Sequence, residues 1–153
     1  MTTTMFNVFA FLSCFFGMEL VAWFTHKYVM HGWAWFLHKD HHLKGEGQVF
    51  ERNDTFFLVF ATPGILLLGI GYLQGWDTPY PWMGLGITAY GLAYFLIHDI
   101  FIHRRFTLFR NSNNKYLLAI RRAHKVHHKK LGKEDGECFG MLWVPFKYFR
   151  NNY

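Results

Sequence analysis

The chain has 153 residues, 52% of them hydrophobic and 17% charged, with 18 Phe, 8 Tyr and 6 Trp and a net charge of +6. A soluble domain of this length would struggle to hide so much apolar surface, so the composition argues against a water-soluble globule and for one membrane-embedded domain, residues 1–153. Nucleic acid is an unsuitable partner despite the positive charge, because the basic residues flank apolar runs and no nucleic-acid motif accompanies them.

Three segments are long enough to cross a bilayer, which takes about 20 apolar residues in a helix. Residues 6–23 form the first, interrupted only by Glu19. No basic residue precedes this run, and histidines follow it directly, so it reads as a span rather than a cleaved leader. Residues 55–73 form the second span, uncharged, with Pro63 inside it, which membrane helices tolerate. Residues 78–97 form the third, also uncharged. All 16 Lys and Arg fall within residues 27–52 and 104–150, and the turn at 74–81 has none. The positive-inside rule then places both basic regions in the cytoplasm. The stretch 139–149 is too short to span and reads as interfacial, with Trp143, Lys147 and Tyr148 as its anchors. Cys14 and Cys138 form no C-x-x-C motif and read as small apolar residues, not as a disulfide or a thiolate site. The expected fold is all-α, a membrane bundle of about three transmembrane helices with a histidine-rich helical cap on the cytoplasmic side.

All ten histidines belong to one scheme used twice. His26 and His31 form H-x4-H at the end of the first span, and His38, His41 and His42 form H-x2-H-H soon after. His98 and His103 repeat the pair after the third span, and His124, His127 and His128 repeat the triplet. The positions i, i+3 and i+4 of H-x2-H-H share one helix face. An i, i+5 pair lies about 140° apart on a regular α-helix, so H-x4-H requires a π-bulge, a helix end or two different metals. On one continuous helix His31, His38 and His42 would spread over about 16 Å, so a compact site requires a break between His31 and His38, with Gly32 as the candidate. Ten imidazoles exceed what one tetrahedral ion takes and suit two metals with four or five ligands each. No H-E-x-x-H or E-x-x-H occurs, which argues against a zinc protease and a carboxylate di-iron bundle. Glu19 and Asp99 are candidates for orienting a ligand imidazole or for ligation itself. An ion pair of Asp99 with Arg104 or Arg105, and a polar helix contact for Glu19, are the simpler alternatives. Asp40 reads as facing solvent.

The histidine pattern resembles that of the membrane fatty acid hydroxylase and desaturase superfamily. More narrowly, Met18-Glu19, Ala22-Trp23, Thr25-His26-Lys27-Tyr28, Val29-Met30-His31-Gly32-Trp33 and His38-Lys39-Asp40-His41-His42 resemble bacterial β-carotene hydroxylases. So do Thr88-Ala89-Tyr90-Gly91-Leu92, His98-Asp99, Ala123-His124, His127-His128 and Phe139-Gly140 followed by Pro145. The resemblance covers nearly the whole chain. It implies a non-haem di-iron monooxygenase that binds two Fe through the ten histidines, with zinc possible in purified samples. It further implies O2 as co-substrate, electrons from ferredoxin and its reductase, and hydroxylation of carbon 3 of the β-ionone rings of β-carotene to β-cryptoxanthin and zeaxanthin. The membrane would be the inner one. The carotenoid would arrive through the bilayer, with Trp23, Trp33, Trp35, Phe95 and Phe101 as candidates to shape its slot. A fatty acid or sterol hydroxylase or desaturase of the same superfamily is the alternative, and a zinc-binding membrane protein without redox function is the alternative of another class.

Overall fold

The computed structural model describes residues 2–43, 50–106, 108 and 112–150, and among these the regular structure is entirely helical. Lys44 and Arg110, two of the basic residues used to orient the chain, lie outside the described residues. Helix α1 (Thr3–Phe24) is capped by the Thr2 side chain and runs directly into a π-helical segment, Thr25–Trp33. Helix α2 (Trp35–His42) follows, and a short 3-10 turn, Arg52–Asp54, leads into α3 (Thr55–Gln74). Helix α4 (Pro79–Tyr94) also continues as a π-helical segment, Phe95–Ile102, and α5 (Lys115–His128) completes the set, with a last 3-10 turn at Phe146–Phe149.

Among the described residues three helices are long and apolar enough to cross a membrane: Thr3–Trp33, Arg52–Gln74 and Pro79–Ile102. The first two contain the spans expected from the sequence, and the third matches its span apart from Thr78, which caps the helix. The first and third are longer than expected because their histidine pairs prolong the helix as π-turns instead of following it. Only 17% of the most apolar stretch of α3 is buried within the protein, so Phe57, Leu58, Leu66 and their neighbours face outward. An exposed apolar surface of that extent belongs in lipid. Pro63 removes one backbone donor inside α3, and the adjacent Thr62 hydroxyl donates to the Leu58 carbonyl at 2.6 Å.

Helix α4 packs against both α1 and α3. Hydrophobicity supplies no force between helices in lipid, so close backbone approach has to do the work, and small residues permit it. A Cβ on Gly84 would sit 2.9 Å from the Gly64 carbonyl oxygen of α3, and one on Gly86 would run into the Phe11 carbonyl of α1.

After α5 the chain leaves regular structure and returns along the bundle. Met141 packs with Met18, Ala22 and Tyr90 between α1 and α4. Tyr148 is fully buried against Ala119 and Ala123 of α5. The stretch 139–149 is therefore only partly interfacial: Trp143 and Phe146 are exposed, whereas Tyr148, expected as an anchor, is part of the core.

Candidate metal centre

The two π-helical segments explain the H-x4-H spacing. With i→i+5 bonding, residue i+5 stands one turn above residue i instead of 140° away. The His103 N–H donates to the His98 carbonyl at 2.9 Å, a bond of this type. The ring centres of His98 and His103 are then 4.5 Å apart, and those of His26 and His31 5.2 Å. Gly32 leaves helical geometry (φ −105°, ψ −126°), which turns α2 back toward the end of α1. His38 consequently meets His26, with their Nε2 atoms 3.1 Å apart.

Nine imidazoles form two buried groups. His26, His31, His38, His42 and His127 make the first, and His41, His98, His103 and His124 the second, with one nitrogen from each residue within 4.8 Å of the others in its group. His128 stands beside them, its ring 4.4 Å from those of His42 and His124 and 4.7 Å from that of His41. Its Nε2 is buried with no hydrogen-bond partner among the described residues. The groups do not follow the two halves of the sequence. The first takes its pair and the outer two positions of its triplet from the first half, the second takes its pair and His124 from the second half, and the middle histidines, His41 and His127, cross to the other group. By this symmetry His128, counterpart of His42, falls to the second.

The outer ring nitrogens are fixed as well. Nδ1 of His26, His31, His42 and His127 donates to the carbonyls of Phe139, Lys133, Lys130 and Glu137 at 2.9–3.0 Å. His38 Nδ1 meets Asn53 Oδ1 at 2.6 Å and His41 Nδ1 meets Glu51 Oε2 at 2.6 Å, while His98 Nδ1 lies 3.3 Å from Asp99 Oδ1. Burial above all, with neighbouring imidazoles adding to it, holds His42, His127, His38 and His128 below the ordinary 6.5, at about 4, 3, 2 and 2. The same causes hold His41 and His124 well below it. These rings are neutral at pH 7. A carbonyl oxygen only accepts, so a neutral ring bonded to one carries its hydrogen on Nδ1 and a bare lone pair on Nε2. His31 and His127 therefore face each other through lone pairs at 3.2 Å, and His42 and His38 approach at 3.3 Å. Such a contact repels unless a cation shares it, and these spacings suit nitrogens around one ion at ~2.1 Å. The donor set fits metal ions.

Asp99 lies within 3.3 Å of His98 and 3.4 Å of Arg105, so the contacts expected as alternatives occur together. Glu19 meets no imidazole. Its carboxylate accepts from the Tyr90 hydroxyl and from the backbone N–H groups of Met141, Leu142 and Trp143. Asp40 does not simply face solvent, since its Oδ2 accepts from the Arg52 N–H at 2.7 Å. Sequence reasoning missed Glu51 and Asn53, which meet His41 and His38, and it offered Arg105 only as a partner of Asp99, whereas Arg105 also pairs with Glu51 and Asp54. The polar run Glu51-Arg52-Asn53-Asp54 just before an uncharged span was the available signal. Burial pushes the Glu51 carboxyl up, and Arg105 opposes it.

A cavity touches both groups through His26, His98 and His124, and the rest of its wall is largely apolar: Tyr94, Ile102, Ile120, Phe139, Met141 and Val144. None of the five aromatic residues expected to shape a slot lines it. Trp35 instead packs on His31 and His42, Phe101 is buried under Arg121, and Trp33 is exposed.

Apolar spans joined to two buried imidazole groups define a membrane protein with a histidine metal centre. Residues 11–148 match the family model described as fatty acid hydroxylase. The chain is 43% identical to a β-carotene hydroxylase of Pantoea ananas over 129 residues, covering 84% of this chain and 72% of that protein. It is 42% identical to one of Pseudescherichia vulneris (84% and 71% covered) and 35% identical to one of a Paracoccus species (84% and 78%). No solved structure matches. The chain belongs to the fatty acid hydroxylase family.

Proposed function

We propose that the chain hydroxylates carbon 3 of the β-ionone rings of β-carotene, giving β-cryptoxanthin and then zeaxanthin in carotenoid biosynthesis. The observation that carries this reading is the pair of buried imidazole groups, which border a largely apolar wall of Tyr94, Phe139 and Met141. An apolar wall suits a hydrocarbon substrate, and the relatives named as β-carotene hydroxylases supply the substrate class.

In this reading His26, His31, His38, His42 and His127 hold one iron ion, and His41, His98, His103, His124 and His128 the other. The iron supplies redox chemistry no side chain has: with O2, two electrons and two protons, one oxygen atom enters the ring C–H bond and the other leaves as water. The protein's own part is position and dryness. Tyr94 and Phe139 give the ring an apolar wall beside the imidazoles, and the Nδ1 partners of His26, His31, His38, His41, His42, His98 and His127 leave their Nε2 atoms to face inward. The substrate enters from the bilayer. Both basic regions lie at the cytoplasmic face of the inner membrane, and ferredoxin with its reductase delivers the electrons.

Expression in a bacterium that accumulates β-carotene, beside a His127→Ala variant, tests the reading by chromatography and mass. Cryptoxanthin and zeaxanthin from the unaltered chain alone support it. Unchanged β-carotene with the protein present in the membrane and metal-loaded refutes it, and hydroxylated or desaturated lipids would move the activity to the fatty acid or sterol class. Zinc that supports no O2-dependent turnover would point to a role without redox chemistry.

A further inference from the structure

We propose that residues 130–143 form a strap that completes the first histidine group, and that Glu19 anchors it, acting as a positioning residue for four imidazoles it does not touch. The inference rests on the reading of the histidines as metal ligands.

Four of the five imidazoles in the first group take their outer partner from one short stretch of backbone. His42 donates to the Lys130 carbonyl, His31 to Lys133, His127 to Glu137 and His26 to Phe139. The second group draws instead on the Glu51 and Asp99 carboxylates. The strap has no helix or sheet to hold its shape. Two of its non-glycine residues, Asp135 and Cys138, sit at positive φ (62° and 61°), a conformation such residues seldom adopt. A segment of this kind has to be held from outside.

The hold lies immediately beyond Phe139. The N–H groups of Met141, Leu142 and Trp143 converge on a single oxygen, Glu19 Oε1, at 2.8, 2.8 and 3.0 Å. The other oxygen accepts from the Tyr90 hydroxyl at 2.7 Å. A carboxylate within a span is costly without partners, and so are backbone donors outside a helix at that depth. Each satisfies the other. Gly140 lets the strap pass, because a Cβ there would stand 2.7 Å from Glu19 Oε1. Glu19 thus sets where the Phe139 and Glu137 carbonyls lie, and through them the orientation of His26 and His127.

The test uses the full chain in nanodiscs loaded with iron, with bound iron counted after chelator challenge and amide exchange followed over 130–143. The unaltered protein should keep two irons. Glu19→Ala should keep one, with the other held at least about 100-fold more weakly, the upper range for lost outer partners, and the amides of 141–143 should exchange faster. Adding His103→Ala should remove the remaining iron, whereas adding His31→Ala should change nothing. Tyr90→Phe, which spares all three strap bonds, should keep both. Glu19→Gln retains an acceptor oxygen and the side-chain shape, and it should weaken the same single iron by about tenfold. Gly140→Val keeps the Glu19 side chain but pushes the strap off its carboxylate, and it should match Glu19→Ala. Retention of both irons in Glu19→Ala, or equal weakening of both in Glu19→Gln, overturns the proposal. An unaltered protein that binds no iron through its histidines would instead refute the metal reading itself.

Discussion

The crossing of the middle histidines can be tested directly. His41 lies in the first half of the chain, yet its ring is 4.3 Å from that of His103 and 5.0 Å from that of His98. His127 lies in the second half, yet its ring is 4.5 Å from that of His26 and 4.8 Å from that of His31. Binding of a divalent ion by four protein ligands amounts to roughly 10–16 kcal/mol, or about 2.5–4 kcal/mol for each ligand. Loss of one imidazole should therefore weaken one ion by about 70–1,000-fold and leave the other in place. The groups are then separated by pairs of substitutions, because losses within one group overlap while losses in different groups add. His41→Ala with His103→Ala should still retain one iron after chelator challenge. His41→Ala with His31→Ala should retain none. The same logic reverses for His127→Ala, which should combine harmlessly with His31→Ala but strip the protein when joined to His103→Ala. Grouping by sequence halves predicts the opposite in all four combinations, and that outcome would refute the assignment.

Glu51→Ala removes the partner of His41 Nδ1, so it should weaken the second ion by about 10–100-fold and spare the first; equal loss of both in a metal competition titration would contradict this. In the metal-free protein the buried histidines also set a pH dependence. His38, His42, His127 and His128 bind protons in the folded chain only near pH 4 or lower, but in the unfolded chain near 6.5. Between those values the unfolded state holds more protons, so stability falls as pH falls, by about 1 kcal/mol per histidine from pH 6.5 to 5.5. The unfolding midpoint should drop over that interval, and a constant midpoint would show that these rings titrate normally. Gly84→Leu should destabilise the α3–α4 contact by about 1–3 kcal/mol, because its Cβ meets the Gly64 carbonyl oxygen at 2.9 Å. Gly91→Leu, with nothing within 4 Å of its Cβ, should be tolerated in the same thermal unfolding assay.

Much of this protein could be read from its residue order because the governing forces act locally. A run of about 20 apolar residues can satisfy its backbone in lipid only as a helix, so the three spans follow from length and composition. The five-residue spacing of His26 and His31 demanded a π-turn, a helix end or two different metals, and the π-turn is what forms. The need for a break near Gly32 followed from helix rise alone. Only the tertiary structure decided which imidazole joins which group, because that depends on packing between segments as far apart as His31 and His127, separated by 96 positions. The strap was hidden for another reason. Its contribution to the histidines comes from backbone carbonyls, which every residue carries, so no side chain marks the Lys130, Lys133, Glu137 or Phe139 oxygens as the ones that will accept. Glu19 was conspicuous in the sequence as a charge within a span, and its partner, three amides brought back from more than 120 positions away, existed only once the chain had folded.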